Sequence, residues 1–206
     1  MPIKPDREYR AMSLLPTAEN KRLQSDFYVE GFATTFDKPY LLYEYEGIRY
    51  MEAIDRHALD TADISDVIMQ YDHSGKVFAR NKMGGGKSPT LIAEPQESGF
   101  FIAADLSLTD AAKRMYEDIT AGLIYQMSWA FTVAEESYDR DTHTRRILRV
   151  KKVYDVSAVS IPANADTEIS ARSWLDGVID AEKRETLARL ELAKAKYNYY
   201  FGGMKV

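Results

Sequence analysis

A mainly β domain with peripheral helices is the fold class predicted by this chain of 206 residues, and three observations predict it. Period-2 runs of β-branched and aromatic residues recur between Asp26 and Ile161, separated by turn residues. Within that stretch a single segment has the spacing of a helix. Past residue 176 the composition turns to Ala, Leu, Glu, Lys and Arg. Together these features predict a closed or partly open antiparallel β-barrel of about seven strands with helices at its periphery.

The elements follow in order. Residues 1–25 are charged and broken by Pro2, Pro5 and Pro16, so an irregular arm is expected. Phe27 to Phe36 alternates as a strand whose Gly31 suggests a bulge. Ile48–Ile54, Val67–Tyr71, Thr90–Ala93 and Phe100–Leu108 read as further strands, the last two joined as a hairpin through the Pro95–Gly99 turn. Thr109 or Asp110 can cap a helix in which Ala112, Met115, Tyr116 and Ile119 share a face and which Gly122 can end. Residues 122–133, GLIYQMSWAFTV, return to strand. Residues 138–145 form a polar hairpin loop, and a long strand from Ile147 to Ile161 closes at Pro162. Residues 177–200 predict an amphipathic helix with Leu187, Leu190 and Tyr197 on one face and a Glu185–Arg189 pair at i,i+4, before a flexible FGGMKV end. The expected division is an arm (1–25), a barrel domain (26–172) and a helical tail (173–206).

Composition narrows the function. A chain of this length buries roughly 70% of its unfolded surface, and 45% hydrophobic residues supply a core without help. A net charge of −5 argues against duplex nucleic acid as a partner. With no cysteine there are no disulfides, no thiolate metal sites and no thiol nucleophile. The three histidines lie in no HxH or HExxH spacing, so neither a metal nor another cofactor is expected. The N-terminus lacks an apolar signal region and no stretch is long enough to span a bilayer, so a soluble, intracellular protein is expected. KMGGGKSPT has the look of a phosphate loop, but Asn81 stands where its first glycine belongs and Pro89 where its helix begins. It reads as a glycine-rich loop.

Three polar residues stand out. Alternation puts Ser128 on the face opposite Met127, Trp129 and Phe131, where it is either a small filler or a hydroxyl held on a rigid element. His73 ends an apolar strand beside a turn of Ser74 and Gly75, a place where scaffolds present reactive groups. Asp155 interrupts the apolar strand VYDVSAVSIP, and a carboxylate there requires a partner unless it faces solvent. An imidazole is one natural partner. Spacing alone does not bring the three together.

In order, these segments resemble the tailed-phage prohead serine proteases, relatives of the herpesvirus assemblins. Gly31-Phe32-Ala33-Thr34-Thr35-Phe36 is similar to the family's G-[YF]-A-x-x-F. Glu52 to Leu59 is similar to E-x-I-x-x-G-A-F, with His57 at the glycine and Leu59 at the phenylalanine. Tyr71-Asp72-His73 matches the segment carrying the family histidine, and Gly99-Phe100-Phe101-Ile102 matches G-[LF]-x-[FV]. Gly122 through Met127-Ser128-Trp129-Ala130-Phe131 matches G-x-x-x-x-M-S-[FW]-x-F. Asp155-Val156-Ser157 through Pro162-Ala163 matches [ED]-V-S-x-V-x-x-P-A. The likeness spans about residues 26–172.

The resemblance implies an assemblin-like barrel and an endopeptidase with Ser128 as nucleophile and His73 as general base. Asp155 is implied as third member, with His57 a second candidate because assemblins use a second histidine. The Arg145-Arg146 pair and the backbone near Ser128 are candidates for stabilising the oxyanion. The implied substrates are the scaffolding segment of the major capsid protein and the chain itself, cut inside the assembling procapsid in the bacterial cytoplasm, with no nucleic acid or membrane involved. The C-terminal helix is then a dimerisation element or a tether removed by self-cleavage, unless it packs on the barrel. Two other readings are a catalytically inactive capsid-assembly factor with the same barrel and an unrelated β-barrel binding module.

Overall fold

The structure, a computed structural model, describes residues 7–16, 21–160 and 169–201. Two compact units divide the chain at residues 168 and 169.

Among the described residues the first unit contains ten strands: β1 Glu8–Pro16, β2 Tyr28–Thr35, β3 Tyr40–Tyr45, β4 Ile48–Ile54, β5 Ile68–Tyr71, β6 Ser74–Arg80, β7 Leu91–Gln96, β8 Gly99–Asp105, β9 Gln126–Asp139 and β10 Thr144–Val159. A helix, α1 Asp110–Thr120, lies between β8 and β9. The strands hydrogen-bond in the order β3-β4-β10-β9-β1-β2-β8-β7, with the β5–β6 hairpin attached to β10. Among the described residues no strand pairing closes this order into a ring, so the fold is mainly β with mixed pairing and the expected closed barrel is not found. Nor is the sheet wholly antiparallel. The edge of β10 away from β9 is shared by two parallel neighbours, β4 along Thr144–Ile147 and β5 along Asp155–Ala158.

Ten strands exceed the seven expected because β1, β3 and β6 escaped the pattern. Residues 8–16, expected to be part of an irregular arm, form β1 in the middle of the sheet between β9 and β2. Its charged residues turn inward. Arg10 donates to Glu8 (2.7 Å) and to both oxygens of Glu52 on β4. Arg145 on β10 donates to Glu8 (2.8 Å), Glu52 (3.1 Å) and Glu136. The hydroxyl of Tyr40 donates to Glu52 as well. A charged strand can be central here because every buried charge meets opposite charge. Burial alone would raise the Glu8 carboxyl, but Arg10 and Arg145 outweigh it and hold the group below its ordinary value.

α1 begins where expected. Thr109 accepts from the Ala112 amide, and Ala112, Met115 and Ile119 face the core. The main apolar cluster joins them to Val29, Ile54, Met69, Phe100, Met127 and Trp129, among others. Trp129 stacks on Phe131 with ring centroids 4.0 Å apart. Burying a side chain of this size contributes roughly 1.5–3 kcal/mol. The bulge suggested by Gly31 is present two residues later, at Ala33 between Phe32 and Thr34. The hairpin of β7 and β8 is also formed, and its Gly99 lies so close to β2 that an added Cβ would stand 2.1 Å from the Thr34 carbonyl oxygen. The glycine-rich segment is a single 3-10 turn, Gly84–Gly86, in a loop.

Among its described residues the second unit is one helix, α2 Ile169–Phe201, which carries the expected Glu185–Arg189 ion pair at 2.9 Å. The Ile161 strand end, the Pro162-Ala163 motif, the side chain of Tyr197 and the tail beyond Phe201 lie outside the described residues. No helix among the described residues is long and apolar enough to cross a membrane.

Candidate active site

β9 and β10 form the long antiparallel pair on which the site is built. Met127, Trp129 and Phe131 on β9, with Val156 and Ala158 on β10, enter the apolar cluster. Period-2 geometry sends Ser128 and Ala130, with Asp155 and Ser157, to the other face. The register pairs Ser128 with Ser157 and Ala130 with Asp155, beyond a bulge between Val153 and Asp155. On the other edge of β10, Ser157 pairs with Gln70 and Asp155 with Ile68 of β5. Ser128 and Asp155 are therefore diagonal neighbours, a spacing of roughly 7–8 Å between backbones.

β5 turns into β6 through Asp72 and His73, which both take positive φ, +46° and +54°. Tyr71 pairs with Ser74, so the turn is the two residues Asp72-His73 and not Ser74-Gly75 as expected. Non-glycine residues in this conformation carry strain, and Asp72 helps to hold it. Its carboxylate accepts from the Ser160 amide (3.0 Å) and hydroxyl (2.9 Å), fastening the turn to the end of β10. The turn directs the His73 ring along β10, where Nδ1 lies 2.5 Å from Asp155 Oδ1. Both side chains are almost fully buried, 2% and 4% exposed. A carboxylate can only accept, so Nδ1 carries the proton and Nε2 is the basic nitrogen. Asp155 Oδ1 accepts a second hydrogen bond, 2.8 Å, from the Ser157 hydroxyl.

Ser128 is fully buried, and its hydroxyl has no hydrogen-bond partner among the described residues. The structure thus joins His73 to Asp155, and sets Ser128 one strand away on the same face without a hydrogen bond to either. A pocket of about 530 Å³ opens against His73 and Asp155, with Arg7, Gln70, Lys152 and Tyr154 in its walls. The Arg7 guanidinium lies 3.4 Å from the Tyr154 ring centre. Lys152 bonds Asp63 and holds that carboxyl below its ordinary range. No three His, Asp or Glu side chains converge to hold a metal ion among the described residues.

Two other candidates lie elsewhere. His57 sits in the turn after β4, 73% exposed, with Nδ1 3.0 Å from Asp60, so it does not meet Ser128 or His73. Arg145 and Arg146 pair with Tyr138 and Ser137 at the opposite end of β10, where Arg145 belongs to the buried ion cluster and Arg146 bonds Asp55 and Asp37. Those ion pairs, and the length of β10, separate both arginines from Ser128. Ser157 had no sequence signal beyond its place in the Asp155-Val156-Ser157 motif.

A buried imidazole–carboxylate pair beside a strand serine is the equipment of a serine hydrolase. The chain matches the family model described as caudovirus prohead serine protease over residues 15–177, most of its length, and it belongs to that family. It is a serine protease. No curated protein matches it. Among solved structures it is similar to the capsid assembly protease gp21 of bacteriophage T4, with 13% identity, a TM-score of 0.48, and coverage of 77% of this chain and 99% of that one.

Proposed function

We propose that this protease cuts peptide bonds by acyl transfer, with Ser128 as nucleophile, His73 as general base and Asp155 orienting the imidazole. Its substrates are the scaffolding segment of the major capsid protein and its own chain, inside the assembling procapsid in the host cytoplasm. The observation that carries this reading is the buried 2.5 Å contact between His73 Nδ1 and Asp155 Oδ1 beside the strand of Ser128. With Nδ1 protonated, Nε2 can take the Ser128 proton as Oγ attacks the scissile carbonyl. The imidazolium then protonates the leaving amine, and water attacks the ester with His73 again as base. Backbone amides near Ser128 are the proposed donors to the oxyanion, and losing one such donor costs about 10²–10³ in rate. The prohead-protease family supports the choice of a capsid substrate.

The test is co-expression with the capsid protein of the same phage, wild type against Ser128→Ala. The wild type is expected to shorten both capsid protein and protease, and the variant neither. Equal mobilities in the two samples would overturn the proposal.

A further inference from the structure

We infer that Ser157 is a positioning residue of this site, acting through Asp155 to hold the His73 ring in line. The inference rests on the proposed catalytic reading and adds to it a residue that acts through Asp155. Asp155 is 3% exposed, so water cannot satisfy its carboxylate freely. Two donors reach it, His73 Nδ1 at 2.5 Å and Ser157 Oγ at 2.8 Å, and both meet the same oxygen, Oδ1.

An aspartate carboxylate turns about a broad two-fold torsion, so one bond from a ring on a turn would leave its plane loosely set. Ser157 removes that freedom. It lies two residues along the same strand, on the same face, at an offset that β geometry keeps constant. It is fully buried, between Ser128 on one side and Gln70 on the other, in a row that fixes its backbone through both neighbouring strands. A hydroxyl bonded to an ionised carboxylate is among the stronger neutral-donor bonds. The result is a chain running from Ser157 through Asp155 to His73, in which the rigid strand supplies the anchor and the strained turn supplies the ring. An alanine at this position would keep the strand and remove one oxygen atom.

The full chain contains three histidines, so ¹⁵N-histidine labelling resolves His73 from the exposed His57 and from His143. Wild type is expected to show a low-field, slowly exchanging Nδ1 proton on His73. Ser157→Ala is expected to shift that proton upfield and speed its exchange. It should also lower kcat for capsid-precursor cleavage about tenfold, the worth of one bond to a charged group, with KM unchanged. Ser157→Thr, which keeps the hydroxyl, should restore the resonance and bring kcat to within about threefold of wild type. A Ser157→Ala protein with wild-type His73 resonance and wild-type kcat overturns the inference. If Ser157→Ala does not fold, Ser157→Cys, of similar size and a weaker donor, takes its place under the same criteria. Failure of the protease reading would look different: Ser128→Ala would leave cleavage unchanged, whereas the His73 resonance would still report on Ser157.

Discussion

His73 and Asp155 are 82 residues apart in sequence, yet Nδ1 of one lies 2.5 Å from Oδ1 of the other, with both side chains withdrawn from solvent. Parallel pairing of β5 with β10 produces this meeting. It brings the end of β5 alongside Asp155–Ala158, and the Asp72-His73 turn then sends the ring back toward Asp155. The proposed role of His73 as general base needs that carboxylate charged and accepting only.

Asp155→Asn is therefore expected to cut kcat by roughly 10⁴-fold while the fold survives, since an amide can present its NH₂ to Nδ1 and favour the wrong tautomer. Capsid-precursor cleavage and the circular dichroism spectrum measure the two halves of this expectation. A fall of only a few-fold would remove Asp155 from the mechanism.

The turn itself can be probed through Asp72. Asp72→Asn tolerates the left-handed conformation and keeps one acceptor for Ser160, so stability should change little. Asp72→Ala loses both bonds and sits badly at positive φ, which should cost about 1–2 kcal/mol and lower kcat by loosening His73. Urea denaturation with parallel kinetics checks both. Equal behaviour of the two variants would show that the turn does not depend on this anchor.

Much of the fold and part of the site were legible because they rest on local pattern. Alternation through Met127, Trp129 and Phe131 placed those three in the core and Ser128 opposite. Thr109 and the spacing of Ala112, Met115 and Ile119 marked α1. Asp155 stood out because a carboxylate among apolar neighbours has to find a donor, and it finds His73. What stayed hidden depends on distant partners. Glu8 and Arg10 look solvated in sequence, and only Glu52 and Arg145, brought from β4 and β10, make a buried strand of that segment. The β5–β6 turn was displaced because Asp72 and His73 adopt a conformation that sequence rules reserve for glycine. Ser157 gave no sign of its own, since a serine in a strand acquires meaning only from the carboxylate it meets.

Gly99 offers a packing test. Its missing side chain lets β8 approach β2, and a Cβ would stand 2.1 Å from the Thr34 carbonyl oxygen, a backbone atom held by the neighbouring pairing. Gly99→Ala should destabilise the protein by about 2–3 kcal/mol through overpacking. The urea midpoint should fall without a change in slope. An unchanged midpoint would mean that β2 and β8 can part freely at this point.

The buried cluster of Glu8, Arg10, Glu52 and Arg145 gives the last two predictions. Removing one cation leaves carboxylates buried without full compensation, so Arg145→Met should cost about 3–5 kcal/mol. Glu8→Gln tests the same cluster through pH. Arg10 and Arg145 hold the folded Glu8 carboxyl below its ordinary value of 4.5, against the effect of burial. A carboxyl depressed in the folded state binds protons more readily when unfolded. Its contribution is thus complete above the ordinary value and is lost as pH falls through the folded one. Wild-type stability should accordingly drop as pH falls from the ordinary value of 4.5 toward the lower folded one. Glu8→Gln should be less stable than wild type at pH 7 but flatter over that interval, so the two curves converge in acid. Denaturant titrations at a series of pH values would show it. Curves that stay parallel from neutral to acid pH would mean that Glu8 titrates alike in both states, and that its arginines do not hold it.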